Sequence, residues 1–303
     1  GKSSDTLKLG TVPRVQSCQS RKNSRKTVHR NKHKRKTMKH LLLTTIAAVL
    51  ALSSTVFAQR PNNSNESAID DPRILHRTYT FENGEQIPYA LFVPSDYDAS
   101  KSYPLMVSLH GLGRQYDWLM GYEGMLDFAE RDGFIVVTPL GYVRDGWYGS
   151  RGKNKHAAKS EQDVMDVLKI VRSEYNVNGN RIYLWGHSMG GAGTYHLAAK
   201  YPSIWAGLGV AAPAPNVKPE QLGKFKSLPI IVLQGDQDRL VKVTRVWVSK
   251  MKELGIEHLY IEVPGGDHSH FISKDRAMLD KLFRFFTIVK KTPSKSDLSP
   301  TKP

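Results

Sequence analysis

Arg181-Ile-Tyr-Leu-Trp185-Gly186-His187-Ser188-Met189-Gly190 is the stretch that decides the fold of this chain. A run of β-favouring residues ends on a glycine. Ser188 stands two residues further on, Gly190 two after that, and Gly191 and Gly193 follow in a helical stretch. A strand that turns this sharply into a helix holds its turn residue in a strained backbone conformation, and side chains on the flanking glycines would collide with strand and helix. The turn lifts the serine hydroxyl clear of the backbone and sets it at a helix N-terminus. Gly-x-Ser-x-Gly alone is a weak pattern. Between a strand and a helix it predicts a nucleophile at Ser188.

On either side of this elbow, short apolar runs alternate with helical patterns. Strands are expected at Tyr79–Phe81, Ile87–Val93, Leu105–Leu109, Phe134–Thr138, Arg181–Trp185, Gly207–Ala211, Ile230–Gln234 and Leu259–Val263. Several are continuous apolar runs, as in strands covered on both faces. Helices are expected at Gln162–Tyr175, Thr194–Lys200, Thr244–Leu254 and Asp275–Ile288. The first carries Val164, Val167, Leu168, Val171 and Tyr175 on one side. The alternation predicts an α/β fold with a mostly parallel eight-stranded sheet and helices on both faces. No helix separates the first two strands, which read as an antiparallel hairpin at the edge.

An ordinary hydroxyl is a weak nucleophile, so a general base and an acid to orient it must follow. In this strand–turn–helix architecture the order is Ser, then Asp or Glu, then His, each at the C-terminal end of a strand. The run Ile230–Gln234 leads into Gly235-Asp236-Gln237-Asp238-Arg239. The run Leu259–Val263 leads into Pro264-Gly-Gly-Asp267-His268-Ser269-His270. Asp238 is the expected acid, with Asp236 as alternative or as a brace of the turn. His268 is the expected base, with His270 as the spare. His268 and His270 together could suggest a metal pair, but no third ligand lies near in sequence, so no metal is expected.

The oxyanion that develops on the substrate needs preorganised donors. The backbone N–H of Met189, next to the nucleophile, is one. The third strand leads into His110-Gly111-Leu112-Gly113, and the N–H of Leu112 is expected as the second. His110 reads as a structural histidine that braces this loop, and His187 as a packed neighbour rather than a catalyst.

Leu109-His110-Gly111, the segment Asn180–Gly191 and the Asp238 and His268 loops resemble the α/β-hydrolase superfamily. With Ala198-Ala-Lys-Tyr-Pro202 behind the nucleophile, the chain is similar to secreted bacterial esterases related to the prolyl-oligopeptidase and polyhydroxyalkanoate-depolymerase groups. The resemblance covers roughly residues 75–290. It implies ester hydrolysis through an acyl-enzyme with no cofactor, on a small-molecule or polymer-linked ester. A serine peptidase is the runner-up, because esters and amides call for the same residues. A non-catalytic binding protein would normally have lost one of them.

In this superfamily a cap domain often follows the strand that ends near Ala212. Only Pro213–Leu228 intervenes here, so no large cap domain is expected and the cleft should be open. The segment Leu140–Lys153 follows a central strand at its C-terminal end, where ligands bind in open α/β sheets. Trp147 and Tyr148 within it read either as an aromatic substrate wall or as a stiff packed loop. Trp118 and Tyr122 are weaker candidates for the cleft lining, and Trp185 and Trp205 read as core.

The chain has 303 residues, 44 Lys plus Arg, 28 Asp plus Glu and a formal net charge of +16. Taken whole, that charge suggests a polyanion partner. Its position argues otherwise. Residues 1–37 hold twelve Lys/Arg against Asp5 alone, whereas from Gln59 onward 31 basic residues face 27 acidic ones. No aromatics interleave the basic arm, so it offers no base-stacking platform, and no nucleic-acid partner is expected. Met38-Lys39-His40, the apolar run Leu41–Leu52 and Val56-Phe57-Ala58 have the layout of a secretory signal peptide over 38–58, cleaved after Ala58. The apolar run falls short of the roughly 20 residues that span a bilayer, so no stable membrane anchor is expected. Residues 1–37 then read as an extension outside the mature protein, 59–72 as a flexible leader, 73–290 as the catalytic domain and 291–303 as a disordered tail. The product would be secreted or periplasmic. The single Cys18 lies in the basic arm, which excludes a cysteine nucleophile, a zinc–thiolate site and an internal disulfide from the domain. Nothing in the pattern fixes an oligomeric state.

Overall fold

The computed structural model describes residues 69–291. The basic extension, the signal peptide and the tail beyond 291 lie outside the described residues. Eight strands form one sheet: β1 (Leu75–Thr80), β2 (Gln86–Phe92), β3 (Tyr103–Leu109), β4 (Ile135–Pro139), β5 (Val177–His187), β6 (Gly207–Ala211), β7 (Ile230–Gly235) and β8 (His258–Val263). Their spatial order is β1-β2-β4-β3-β5-β6-β7-β8. β2 runs antiparallel to both β1 and β4, and every other pairing is parallel. The expected edge hairpin is therefore β1–β2, with the largely exposed β1 outermost.

All residues of β3, β4, β6 and β7 are buried, because helices cover both faces. The helices are α1 (Met125–Asp132), α2 (Ala157–Glu174), α3 (Met189–Lys200), α4 (Val241–Glu253), the single turn α5 (His270–Ser273) and α6 (Arg276–Ile288). Side chains alternate across the sheet with a period of two. Ile182 and Leu184 of β5 pack towards α2, α3 and α4, with Val164, Val167, Tyr195, Trp247 and Met251. Tyr183 and Trp185 pack on the other face towards α1 and α6, with Leu126, Ala129, Leu279, Phe283 and Phe286. Trp185 and Trp205 are both fully buried.

Several boundaries differ from the sequence reading: β1 starts at Leu75, β5 at Val177, α2 at Ala157 and α3 at Met189, and α1 lies where no helix is expected. α2 begins at Ala157, five residues before the apolar periodicity becomes visible. Its first turns carry Ser160, Glu161 and Asp163, which are buried polar residues and break the apolar pattern. Of the leader expected over 59–72, residues 59–68 lie outside the described residues and only 69–72 are placed. The N–H of Ile69 donates to Asp117 Oδ2 at 2.7 Å, and the Ile69 side chain lies against Gly121, so residues from 69 onward pack on the domain.

The strand order places the site. From β3 the chain moves outward to β4 and then returns to the other side of β3 as β5. At such a switch point, the loops leaving two adjacent strands diverge and open a crevice at their C-terminal ends. The loop after β3 carries His110–Gly113, and the turn after β5 carries Ser188. Between β6 and β7 the described chain adds only one 3-10 stretch, Pro219–Phe225, pinned by the buried Leu222 and Phe225.

Candidate active site

Ser188 has φ 57° and ψ −112°, a region that non-glycine residues rarely occupy. The turn is held by hydrogen bonds that leave no slack. The N–H of Ser188 donates to Ala211 O at 2.9 Å, and its carbonyl accepts from Ala214 N at 3.0 Å. The glycines are sterically required. A Cβ on Gly190 would stand 1.9 Å from Leu109 O, and one on Gly186 would stand 2.3 Å from the Gly190 carbonyl carbon. β3, β5 and α3 thus meet with backbone against backbone.

His268, in the loop after β8, faces the serine. Its Nε2 lies 3.0 Å from Ser188 Oγ, and its Nδ1 lies 2.9 Å from Asp238 Oδ2. A carboxylate only accepts, so Nδ1 carries the proton and Nε2 is free to accept from the hydroxyl. The Asp238 side chain is fully buried. Its Oδ2 also accepts from Gln234 Nε2 at 2.9 Å, and its Oδ1 accepts from Leu240 N at 3.1 Å. Gln234 is fixed in turn by Thr244, whose hydroxyl donates to Oε1 at 2.7 Å. A buried acceptor with these donors keeps its orientation.

The two spare candidates lie elsewhere. His270 is exposed and binds Asp267 at 2.6 Å through Nδ1. Asp236 accepts from Gly265 N at 2.8 Å and from Gln237, and so braces the β7–β8 loops. Leu112 lines the cleft beside Ser188, and Met189 opens α3. Among the described residues, neither N–H meets a protein acceptor.

Both histidines read as structural are buried. His110 lies between the carbonyl oxygens of Gly111 and Leu140, each 2.8 Å from a ring nitrogen, and ties the loop after β3 to the loop after β4. His187 stacks on Trp118 with centroids 5.4 Å apart and donates through Nε2 to His268 O at 2.7 Å. Its Nδ1 accepts from the Tyr122 hydroxyl. Burial and the neighbouring His268 push His187 down to about 3, so it is neutral at physiological pH.

The aromatic pair after β4 divides. Trp147 lines the cleft, and the Arg151 guanidinium lies 3.5 Å above its ring centroid. Tyr148, expected beside it as a substrate-binding residue, is corrected. Its side chain is fully buried, it packs where a Cβ on Gly193 would go, and its hydroxyl donates to His110 O at 3.3 Å. Tyr142, Trp147 and Tyr148 all have positive φ. Such a loop persists only where its surroundings over-determine it. α2 does so: Ser160 Oγ accepts from Tyr148 N at 2.9 Å, and Asp163 Oδ2 accepts from Gly141 N at 2.6 Å and Tyr142 N at 3.0 Å. Burial pushes Asp163 up to about 6 despite these donors. Trp118 lines the cleft, and Tyr122 lies beneath it.

The resulting cleft holds about 500 Å³ over Ser188 and His268. Residues not foreseen from sequence include Gln234 and Thr244, which orient Asp238, and Arg151 and Arg239, which line the cleft. Gln234 was detectable in principle, as a polar residue closing an apolar strand. The arginines carry no local pattern that marks them. Among the described residues, no group of three or more His, Cys, Asp or Glu is placed to hold a metal ion, and no helix is long and apolar enough to cross a membrane.

Comparisons with known proteins bear on the family and the fold. A bifunctional acetylxylan esterase/xylanase of Neocallimastix patriciarum is 28% identical over 171 residues, which is 55% of this chain and 24% of the relative. Dipeptidyl aminopeptidase A of Saccharomyces cerevisiae is 25% identical over 129 residues, 40% of this chain and 14% of the relative. The chain thus matches less than a quarter of the length of either relative. Among solved structures, a fluorophosphonate-binding serine hydrolase of Staphylococcus aureus superposes with a TM-score of 0.59 at 16% identity, over 70% of this chain and 97% of that one. At that identity the likeness is one of fold. A family model described as "Putative esterase" matches residues 82–280, well over half of the chain, and the chain belongs to that esterase family.

Proposed function

We propose that this chain is a secreted carboxylic ester hydrolase that works through Ser188, His268 and Asp238 and an acyl-enzyme intermediate. The observation that carries the reading is the hydrogen-bonded chain from a fully buried carboxylate, through one imidazole, to a serine in a strained elbow. His268 Nε2 takes the hydroxyl proton as Ser188 Oγ bonds to the acyl carbon, and the carbonyl electron pair moves onto oxygen. The N–H groups of Leu112 and Met189 stabilise that oxyanion. Collapse expels the alcohol, which leaves with the proton from His268. Water then attacks the acyl-enzyme by the same route and releases the acid. Family membership and the acetylxylan esterase relative support an ester, small or polymer-linked, as substrate. Secretion rests on the sequence of residues 38–58, with a mature protein that starts at Gln59.

A fluorophosphonate probe tests the nucleophile. It should label the wild type and leave Ser188→Ala unlabelled, and equal labelling of both would sink the reading. A panel of aryl esters beside prolyl amides tests the reaction class. Turnover of the amides alone would make the chain a peptidase. Mass spectrometry of the exported protein's N-terminus tests the start at Gln59.

A further inference from the structure

Ester cleavage by Ser188 uses His268, Asp238 and two backbone donors. Three arginines of the cleft play no part in it. Arg114, in the loop after β3, lies over the Trp118 ring; the other two are Arg151, from the loop after β4, and Arg239, which directly follows Asp238. Six arginines on this surface are engaged by carboxylates: Arg73, Arg77, Arg131, Arg245, Arg276 and Arg284. Among the described residues, Arg151 and Arg239 hold none, although both are exposed on the wall around the nucleophile. Nor does the cleft supply an anion of its own, because no Asp or Glu lines it. Asp238 is sealed behind His268, and Asp267 is engaged by His270.

The placing of Arg151 is specific. Its guanidinium carbon lies over the Trp147 ring, 3.5 Å from the centroid. Trp147 is itself fixed by the over-determined loop that Ser160 and Asp163 hold to α2. A guanidinium seated over a ring loses little further freedom on binding and presents a rigid fork of donors. That fork matches the two oxygens of a carboxylate, and its charge does not titrate away. Arg239 is anchored through its neighbours, since Asp238 Oδ1 accepts from Leu240 N.

We propose that the substrate of this cleft is an ester that carries a free carboxylate away from the scissile bond, held by Arg151 and Arg239. The inference rests on the ester-hydrolase reading above and specifies its substrate class. Three arginines around the nucleophile, with no lining charge of opposite sign, would draw an anionic ester in, and Arg151 and Arg239 would fix its register. The carboxylate can belong to the acid half or to the alcohol half of the ester.

The test uses two matched pairs of esters with the wild type and the double variant Arg151→Gln/Arg239→Gln. In the first pair, 4-nitrophenyl hydrogen adipate against its methyl ester, the charge is on the acyl half. In the second, 4-acetoxybenzoate against its methyl ester, it is on the alcohol half. The readout is the kcat/KM ratio of charged to uncharged member, so a general loss of activity in the variant cancels. In one pair the wild-type ratio should exceed that of the double variant by about ten-fold, mostly through KM, as for a charge-assisted contact at a partly exposed site. That excess should shrink in 0.5 M salt, about as expected for screened charges. The responding pair identifies the half that carries the carboxylate. Ratios equal in wild type and variant for both pairs, with the esters hydrolysed, overturn the proposal and leave the ester-hydrolase reading standing. Failure to hydrolyse any of the four, with no fluorophosphonate labelling, overturns both.

Discussion

The backbone carbonyl of His268 accepts a hydrogen bond from His187 Nε2 across 2.7 Å. The residue immediately before the candidate nucleophile thus holds the loop of the candidate base. His187 is locked on its other sides by the Tyr122 hydroxyl at Nδ1 and by the face of Trp118. One imidazole therefore ties the elbow after β5 to the loop after β8, while Asp238 fixes the His268 ring from the β7 side. The separation of Nε2 from Ser188 Oγ is set by both restraints together.

Replacing His187 with Phe should lower kcat by about 10–100-fold with little change in KM, because a misplaced base costs rate rather than binding. The ring would still stack on Trp118, but the His268 carbonyl would lose its donor. His187→Gln retains an N–H that can reach that carbonyl and should recover much of the loss. Steady-state kinetics on an aryl ester decides this. Equal activity in wild type and His187→Phe would mean that the His268 loop holds itself.

The same histidine makes a prediction about pH. His187 titrates at 6.5 in the unfolded chain and is pushed to about 3 in the fold, chiefly by burial. Between those values the unfolded state binds the extra proton. The contribution to stability is therefore fully present above pH 6.5 and is lost as the pH falls towards 3, with a slope of up to about 1.4 kcal/mol per unit. His110 is lowered by burial as well and adds to this slope. Urea unfolding at pH 7, 6 and 5 should give falling midpoints for the wild type, and His187→Phe should flatten the curve. An unchanged slope in the variant would show that the acid sensitivity arises elsewhere.

Those positions mark how far the sequence could be read. The strands, the elbow and the residues around Ser188 were legible because each is a local pattern: an apolar run, a glycine where no Cβ fits, an acid or histidine just past a strand end. The groups that hold them were not. Ser160 and Asp163 fix the loop that carries Trp147, yet in sequence they only blur the start of a helical stripe. The Tyr122–His187 bond joins residues 65 apart. Trp147 and Tyr148 are adjacent and similar, and only the three-dimensional path of a loop with positive φ sends one to the cleft and the other to the core. Long-range polar partners leave no period in a chain.

Glu161 is a further such residue. It holds α3 to α2 by accepting from His196 Nε2 at 2.7 Å, from Tyr201 Oη at 2.6 Å and from Lys200 Nζ. Burial works against its charge, but these three donors outweigh it and draw its carboxyl down to about 2. Since α3 carries Ser188 at its start, Glu161→Gln should loosen the seat of the nucleophile helix. The loss should be about 1–3 kcal/mol, discounted from a fully buried pair because the Lys200 side chain is half exposed. The thermal midpoint at neutral pH measures it. A shift within error would place the cohesion of α2 and α3 in their apolar contacts.

Trp147 and Tyr148 together separate binding from folding. Tyr148 fills space against Gly141, Gly193 and His110 and touches no part of the cleft. Tyr148→Leu leaves a cavity and a buried carbonyl without its donor, so it should cost about 2–4 kcal/mol of stability. KM of the folded fraction should stay near the wild-type value. Trp147→Leu keeps apolar bulk in the wall but removes the ring under Arg151. Its stability loss should be smaller, about 1–2 kcal/mol, while KM for an ester that reaches this wall rises several-fold. Denaturation midpoints and KM measured on both variants form a crossed pair. If Tyr148→Leu raised KM and Trp147→Leu did not, the cleft wall would have to be drawn through the other ring.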